Sequence, residues 1–316
     1  LIFILVLEMD EIAQRALTFW NRQGARLQLI ATRENHVYRV TGPQGDMALR
    51  LHRAGLRSQD ELISELSWMA AMVDAGLTLP CPIAQINGSY FAQVEGIFID
   101  ALTWVEAIPM GHHGVTNPLI DSRKAYHDLG IAMAKLHIAC DAWQPPAYFT
   151  RPAWNAQGLL GDAPLWHRFW ENPTLTDSEK DKLLAFRNQA LDDLERYAFD
   201  YGLIHADLVP DNVLIQNGVV MIDFDDGGFG YRLFDLATVL NRTDRLGEDP
   251  AQKQIFLAAY LSQRPLDMTH LPLFSALRAV SYIGWFIPRL DIGSELGRNR
   301  HYIDFGLKKL RAYMGD

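Results

Sequence analysis

Hydrophobic and polar positions alternate in two different ways along this chain. In the first hundred residues, Gln28–Ala31, Val37–Thr41 and Met47–His52 are short β-type runs, with Gly42-Pro43-Gln44-Gly45-Asp46 as a turn between the last two. Ser58 to Ala75 instead repeats at helical spacing, with Leu62, Leu66, Met69 and Val73 on one stripe. Ser58 and Glu61 form a capping box at its start, and Gly76 follows its last turn. Ile83–Ile86 and Tyr90–Val94 read as strands joined by the hairpin dipeptide Asn87-Gly88, and Ile97–Val105 reads as another. After Glu106 the helical period takes over, in Leu119–Ile138, Thr176–Ala198, Gln254–Leu261, Leu271–Ile287 and Tyr302–Tyr313. Thr176 and Glu179 make a second capping box, and Asp141 to Pro173 is irregular, rich in Pro, Trp and Gly. The pattern predicts a β-rich lobe over residues 1–105 and a larger helical lobe over residues 106–316, with a connector near Trp104–Glu106. No internal repeat or low-complexity tract interrupts it.

A length of 316 residues agrees with two domains at about 150 residues each. Hydrophobic residues at 49% and charged residues at 21% exclude a disordered or fibrous chain. With 29 basic and 38 acidic residues the net charge is −9, which repels phosphate backbones and argues against a nucleic-acid partner. Cys81 and Cys140 are too few for a disulfide framework and lack metal-ligand spacing, so both read as core hydrophobes in a reducing compartment. The apolar run Leu1–Leu7 is too short to span a bilayer and has no basic residue before it; with Met9 just beyond, it reads as an extension ahead of an internal start. Leu271–Leu290 is interrupted by Arg278, Pro288 and Arg289, and reads as a buried helix. The expectation is a cytoplasmic protein with no membrane partner. The oligomeric state is not legible.

Candidate chemistry concentrates in His205-Ala206-Asp207-Leu208-Val209-Pro210-Asp211-Asn212-Val213-Leu214 and in Met221-Ile222-Asp223-Phe224-Asp225-Asp226. Asn217-Gly218 lies between them as a hairpin turn. A two-residue turn there pairs Gln216 with Val219 and Val213 with Ile222, which sets Asn212 opposite Asp223. An amide oxygen and a carboxylate brought together, with Asp207 just upstream, suit Mg²⁺, a hard ion that keeps waters and takes further oxygens from phosphates.

His-x-Asp-x-x-x-x-Asn, a short hairpin and Ile-Asp-Phe-Asp together resemble the aminoglycoside phosphotransferase and choline kinase superfamily. The wording His-Ala-Asp-Leu-Val-Pro-Asp-Asn is most similar to its homoserine kinase type II and stress response kinase A branch, and the resemblance runs from about Glu34 to Leu240, including Leu129-Gly130 through Leu136-His137. It implies an α+β, two-lobed protein-kinase-like fold and an ATP- and Mg²⁺-dependent kinase that binds Mg·ATP between the lobes and phosphorylates the hydroxyl of a small molecule. The acceptor it implies is an amino alcohol, a hydroxy amino acid such as homoserine, or an aminoglycoside-like compound. By the same resemblance Asp207 is the catalytic base, His205 braces its loop, and Asn212 and Asp223 are the metal ligands. Asp235 matches a buried structural carboxylate after the metal loop. Arg50 stands where the family has a phosphate-anchoring Lys, and Glu65 is its expected helix partner, since it lies nearer the apolar stripe than Glu61. Arg33-Glu34-Asn35-His36 takes the place of the glycine loop, with Asn35 as a cap over phosphate, and Trp104, Val105 and Glu106 form the adenine-binding hinge.

Other readings compete. One, from another class, is a nucleotide-binding pseudokinase that regulates a partner protein, suggested by Arg50 in place of Lys; another, within the kinase class, is a protein Ser/Thr kinase of the stress response kinase A type. Outside it is a metal-dependent hydrolase built on His205, Asp207 and Asp223. His112-His113 suggests a metal, but no third ligand has clear spacing, which favours a loop. Tyr282, Trp285 and Phe286 make an aromatic wall for an ammonium group or one face of a core helix. Asp225 and Asp226 either assist the metal or are solvated.

Overall fold

The structure is a computed structural model describing residues 2–32, 35–112, 115–247, 249–290 and 295–315. The expectations placed on Arg33, Glu34 and His113 lie outside the described residues. The chain divides into two compact units. One comprises Leu1–Ile108, Trp143–Arg151 and Val220–Ile222; the other comprises Pro109–Ala142, Pro152–Val219 and Asp223–Asp316.

The first unit is built on five antiparallel strands, β1 (Arg26–Thr32), β2 (Asn35–Thr41), β3 (Met47–His52), β4 (Phe91–Val94) and β5 (Ile97–Thr103), in the order β1-β2-β3-β5-β4. Helix α1 (Ile2–Ala16), which the hydrophobic pattern did not predict, packs Ile12, Ala13 and Ala16 with Tyr38, Val40, Leu49, Leu51, Ile99 and Ala101 of the sheet. Helix α2 (Gln59–Asp74) opens with the expected capping box: the Ser58 hydroxyl accepts from Glu61 N and the Glu61 carboxylate accepts from Ser58 N. Its buried stripe is Leu62, Leu66, Met69 and Met72, with Val73 only half-buried.

The predicted strand Ile83–Ile86 does not form. Pro80 and Pro82 immediately precede it and lack the N–H a ladder needs; only an isolated bridge from Pro82 to Leu102 remains. Asn87-Gly88 still turns, closed by Gln85 N to the Ser89 carbonyl at 2.7 Å, but it does not join two strands. Cys81 is half-buried and only Cys140 sits in the interior.

The second unit is mainly helical: α3 (Ser122–Ala142), α4 (Ala156–Leu160), α5 (Asp177–Arg196), α6 (Arg232–Leu246), α7 (Pro250–Gln263), α8 (Leu271–Trp285) and α9 (Glu295–Met314). Gly130 lets α3 lie close on α7, since a Cβ there would meet the Phe256 carbonyl oxygen at 2.4 Å. Leu233, Phe234 and Ala237 of α6 share a core with Phe274, Leu277 and Val280 of α8 and with Ile303 and Leu307 of α9. Leu271–Arg289 is the single stretch among the described residues long and apolar enough to cross a membrane. Most of it is buried in the protein, as the reading of a core helix requires.

Candidate active site

In the second unit, the strand Tyr201–Ile204 runs into His205, Ala206 and Asp207, and a 3-10 turn, Pro210–Asn212, returns the chain to the strand Val213–Ile215. The backbone at Ala206 is left-handed, φ +65°, a conformation that costs a residue with a Cβ about 1–2 kcal/mol. Asp235 of α6 holds it there. Its fully buried carboxylate accepts from Ala206 N at 2.7 Å, from His205 N at 2.9 Å and from His137 Nε2 at 3.1 Å. Burial alone would push that carboxyl up, but the His137 hydrogen bond and the surrounding donors outweigh it, and its pKa is lowered. Burial in turn pushes His137 down to about 4, so at neutral pH it is an uncharged donor to Asp235 that accepts the Tyr260 hydroxyl on Nδ1 at 2.8 Å. The His205 ring is buried, with its centroid 4.6 Å from that of Phe224.

The Asp207 carboxylate is gripped on both oxygens. Oδ2 accepts from Asn212 Nδ2 at 3.1 Å, and Oδ1 accepts from Arg278 Nη2 at 2.7 Å, with the Tyr282 hydroxyl 3.4 Å away. Asn212 Nδ2 also donates to the Asp207 carbonyl at 2.9 Å. The amide nitrogen is thus committed to Asp207, while Asn212 Oδ1 has no hydrogen-bond partner among the described residues.

The cross-strand facing of Asn212 and Asp223 expected from a two-residue turn is not how these residues are set. Gln216–Gly218 form a three-residue turn, closed by Gln216 N to the Gly218 carbonyl at 3.0 Å, between Val213–Ile215 and the strand Val219–Met221. Asn212 ends the 3-10 turn and Asp223 lies beyond its strand, so neither is on a ladder. Asp223 is exposed and has a left-handed backbone of its own, φ +65°. The Asn212 amide oxygen and the exposed Asp223 carboxylate, the latter on a left-handed backbone, are hard oxygen donors of the kind Mg²⁺ takes. Among the described residues no three His, Cys, Asp or Glu side chains cluster as a metal site, so the protein would contribute few ligands and leave positions for phosphate and water. Asp225 is buried rather than solvated, and the Asp226 carbonyl accepts Trp154 Nε1 at 2.9 Å. His112 Nδ1 lies 3.6 Å from Asp211.

In the first unit, Arg50 on β3 is almost fully buried and paired with Glu65, Nη1 to Oε1 at 2.9 Å. Sequence reasoning missed its second partner. Asp100, directly opposite on β5, takes Nε and Nη2 at 2.8 and 2.9 Å. Burial would lower the Arg50 pKa, but Asp100 and then Glu65 raise it well above normal. Three of the five guanidinium N–H groups are thereby used, leaving one on each terminal nitrogen. Arg151 Nη1 lies 3.5 Å from the other Glu65 oxygen. Asn35 is the first residue of β2, paired with His52, and its buried Oδ1 has no partner among the described residues. Trp104, Val105 and Glu106 follow β5 as coil: Trp104 Nε1 donates to Glu106 at 3.1 Å, and Arg39 stacks on the Trp104 ring at 4.7 Å.

Asp100, Asp235 as a loop clamp and Arg278 are the residues whose parts were not read. For Arg278 a signal existed: it is the one charged residue within the otherwise apolar α8. For Asp100 none did, because register alone brings it to Arg50.

A β-sheet unit with an Arg–Glu pair and a helical unit with a braced His-x-Asp loop define a small-molecule phosphotransferase of protein-kinase-like fold. Residues 26–272 match the phosphotransferase enzyme family, and the chain belongs to that family. A homoserine kinase of Neisseria meningitidis serogroup B is 30% identical over 261 residues, covering 81% of this chain and 79% of the relative. Among solved structures, a microcompartment-associated aminopropanol kinase superposes with a TM-score of 0.79 at 27% identity, covering 95% of both chains. An amicoumacin kinase solved with AMP-PNP and Ca²⁺ shares the fold at a TM-score of 0.76 and 18% identity, over 95% of this chain and 93% of that one. The protein is therefore an enzyme that transfers phosphate to an alcohol group, and the hydrolase reading falls away.

Proposed function

We propose that this enzyme moves the γ-phosphoryl group of Mg·ATP to the hydroxyl of a small molecule: an amino alcohol, a hydroxy amino acid such as homoserine, or an aminoglycoside-like compound. The observation that carries the reading is the Asp207–Asn212 lock, which presents a carboxylate next to an amide oxygen left open for a cation. The acceptor oxygen attacks the γ-phosphorus, the bond from that phosphorus to the β–γ bridging oxygen breaks, ADP leaves, and the hydroxyl proton passes to Asp207. His205 and Asp235 act through the backbone, setting the angle of Asp207. Asn212 and Asp223 would hold Mg²⁺, which when bound neutralises charge on the phosphate oxygens. On the nucleotide side, Arg50 with Glu65 would serve phosphate through its two remaining N–H groups, with Asn35 nearby on β2. Trp104 and Val105 would offer backbone groups to adenine. The homoserine kinase and aminopropanol kinase relatives support a small hydroxylated acceptor.

Asp207→Asn tests this. It retains the shape but cannot accept the proton, and a general base is worth about 10²–10⁴ in rate. The expected variant folds, binds Mg·ATP with near-native affinity by calorimetry, and loses at least about a hundredfold in ADP release with any acceptor that the wild type uses. Turnover above about a tenth of wild type, a barrier change under about 1.4 kcal/mol, refutes the role.

A further inference from the structure

Arg278 of α8 is fully buried, yet only one of its three guanidinium nitrogens has hydrogen-bond partners among the described residues. Nη2 donates to Asp207 Oδ1 at 2.7 Å and to the Tyr282 hydroxyl at 2.9 Å, while Nε and Nη1 have none. Rings enclose the rest of the group: Tyr282 at 4.4 Å, Trp166 at 4.5 Å and Phe234 at 5.4 Å. Trp154 braces this cage, with its centroid 5.3 Å from those of both Trp166 and Phe234. The aromatic wall on α8 therefore already carries the protein's own cations, Arg278 on Tyr282 and Arg289 on Trp285 at 3.8 Å. A buried cation with unmet donors costs stability, and the cage has the character to take an apolar side chain instead. Its one carboxylate partner among the described residues, Asp207, is still 24% exposed and does not need a buried counter-charge. A group kept where it costs stability points to function.

The lone pairs of Asp207 show what that function is. Each carboxylate oxygen offers about two acceptor sites. Oδ1 takes Arg278 and, at 3.4 Å, the Tyr282 hydroxyl, so both of its sites are engaged. Oδ2 takes only Asn212 Nδ2, at 3.1 Å, and keeps one site open. Resting on the phosphotransferase reading, we infer that Arg278 is a positioning residue for Asp207: with Tyr282 it pins Oδ1, and this leaves Oδ2 to receive the proton. In that step the O–H proton of the acceptor passes to Oδ2 and its oxygen bonds to the γ-phosphorus. ADP leaves with the electrons of the broken P–O bond.

Arg278→Met, Arg278→Lys and Tyr282→Phe test this by thermal unfolding, by ADP release at varied Mg·ATP and acceptor, and by crystallography. Arg278→Met exchanges a buried cation for an apolar chain of similar length, so its Tm should lie within about 4 °C of wild type or above it. With Oδ1 released, the Asp207 carboxylate should turn from its place beside Asn212. Its kcat should then fall about tenfold to a hundredfold, with both KM values within about twofold of wild type. Arg278→Lys keeps the charge and a donor for Oδ1, and should recover part of kcat. Tyr282→Phe removes one neutral hydrogen bond and should lower kcat about two- to tenfold. A larger loss of Tm in Arg278→Met marks a structural ion pair, and a raised acceptor KM at unchanged kcat marks a binding residue; either overturns the inference. So does an unmoved Asp207 carboxylate, or a Tyr282→Phe kcat above wild type, which would make Oδ1 the proton acceptor. If the carboxylate moves in Arg278→Met but the wild type phosphorylates no acceptor, the positioning stands and the kinase reading fails.

Discussion

Asp235→Asn probes the link between fold and chemistry most directly. The carboxylate accepts three hydrogen bonds with no exposure to solvent, two of them from the backbone N–H groups of His205 and Ala206. An asparagine retains one oxygen and turns an NH₂ toward a donor, so one buried N–H loses its partner at a cost of about 1–3 kcal/mol, and the remaining bonds lose their charge assistance. A net destabilisation of about 3 kcal/mol follows, or about 10 °C in Tm for a unit of this size. Ala206 is then free to leave its left-handed conformation, which re-aims Asp207; misplacing a reacting group by about 1 Å can cost about a hundredfold in rate. Ala206→Gly supplies the control. Glycine adopts φ +65° without a Cβ penalty, so in the Asp235→Asn background it should restore about 1 kcal/mol and part of the turnover, more than it adds to the wild type. Urea unfolding followed by tryptophan fluorescence, together with steady-state ADP release on all four proteins, measures the cycle. If Asp235→Asn unfolds within about 0.5 kcal/mol of wild type with full turnover, the clamp does not exist.

Arg50→Met leaves the buried carboxylates of Asp100 and Glu65 with only His52 and Arg151 beside them and should destabilise the first unit by about 3 kcal/mol, seen in urea unfolding; a loss under about 1 kcal/mol would contradict the burial of that pair. His137 has a pKa of about 4 in the folded chain against about 6.5 unfolded. The unfolded state therefore binds the extra proton first, and stability that is complete above about pH 6.5 falls by about 3 kcal/mol as the pH drops to 4. His137→Gln should flatten that part of the pH–stability curve, and an unchanged slope would assign the titration elsewhere. Asn212→Ala and Asp223→Ala should each weaken Mg·ATP binding in calorimetry, and undiminished affinity in both would remove them from the metal site.

Much that is local along the chain was legible in it. The capping boxes of α2 and α5 form as Ser58/Glu61 and Thr176/Glu179 because their partners are three residues apart. The His205–Asp223 segment sets out its candidate residues in order, and the Arg50–Glu65 pair follows from a strand position and a helix face. What the sequence could not determine depends on long-range placement. The hairpin shows the limit of local inference: one more residue in the turn than the Asn-Gly rule allows takes Asn212 and Asp223 off the ladder, and the Asn212 amide is set by Asp207 instead. Asp100 becomes the stronger partner of Arg50 only because β5 lies next to β3, and Asp235 becomes a clamp only because α6 packs under the loop. Arg278 looked like an interruption in an apolar helix. It becomes a neighbour of Asp207, 71 residues away, only when α8 lies beside that loop. The meaning of a buried charge is fixed by its partner, and partners distant in sequence are chosen by packing.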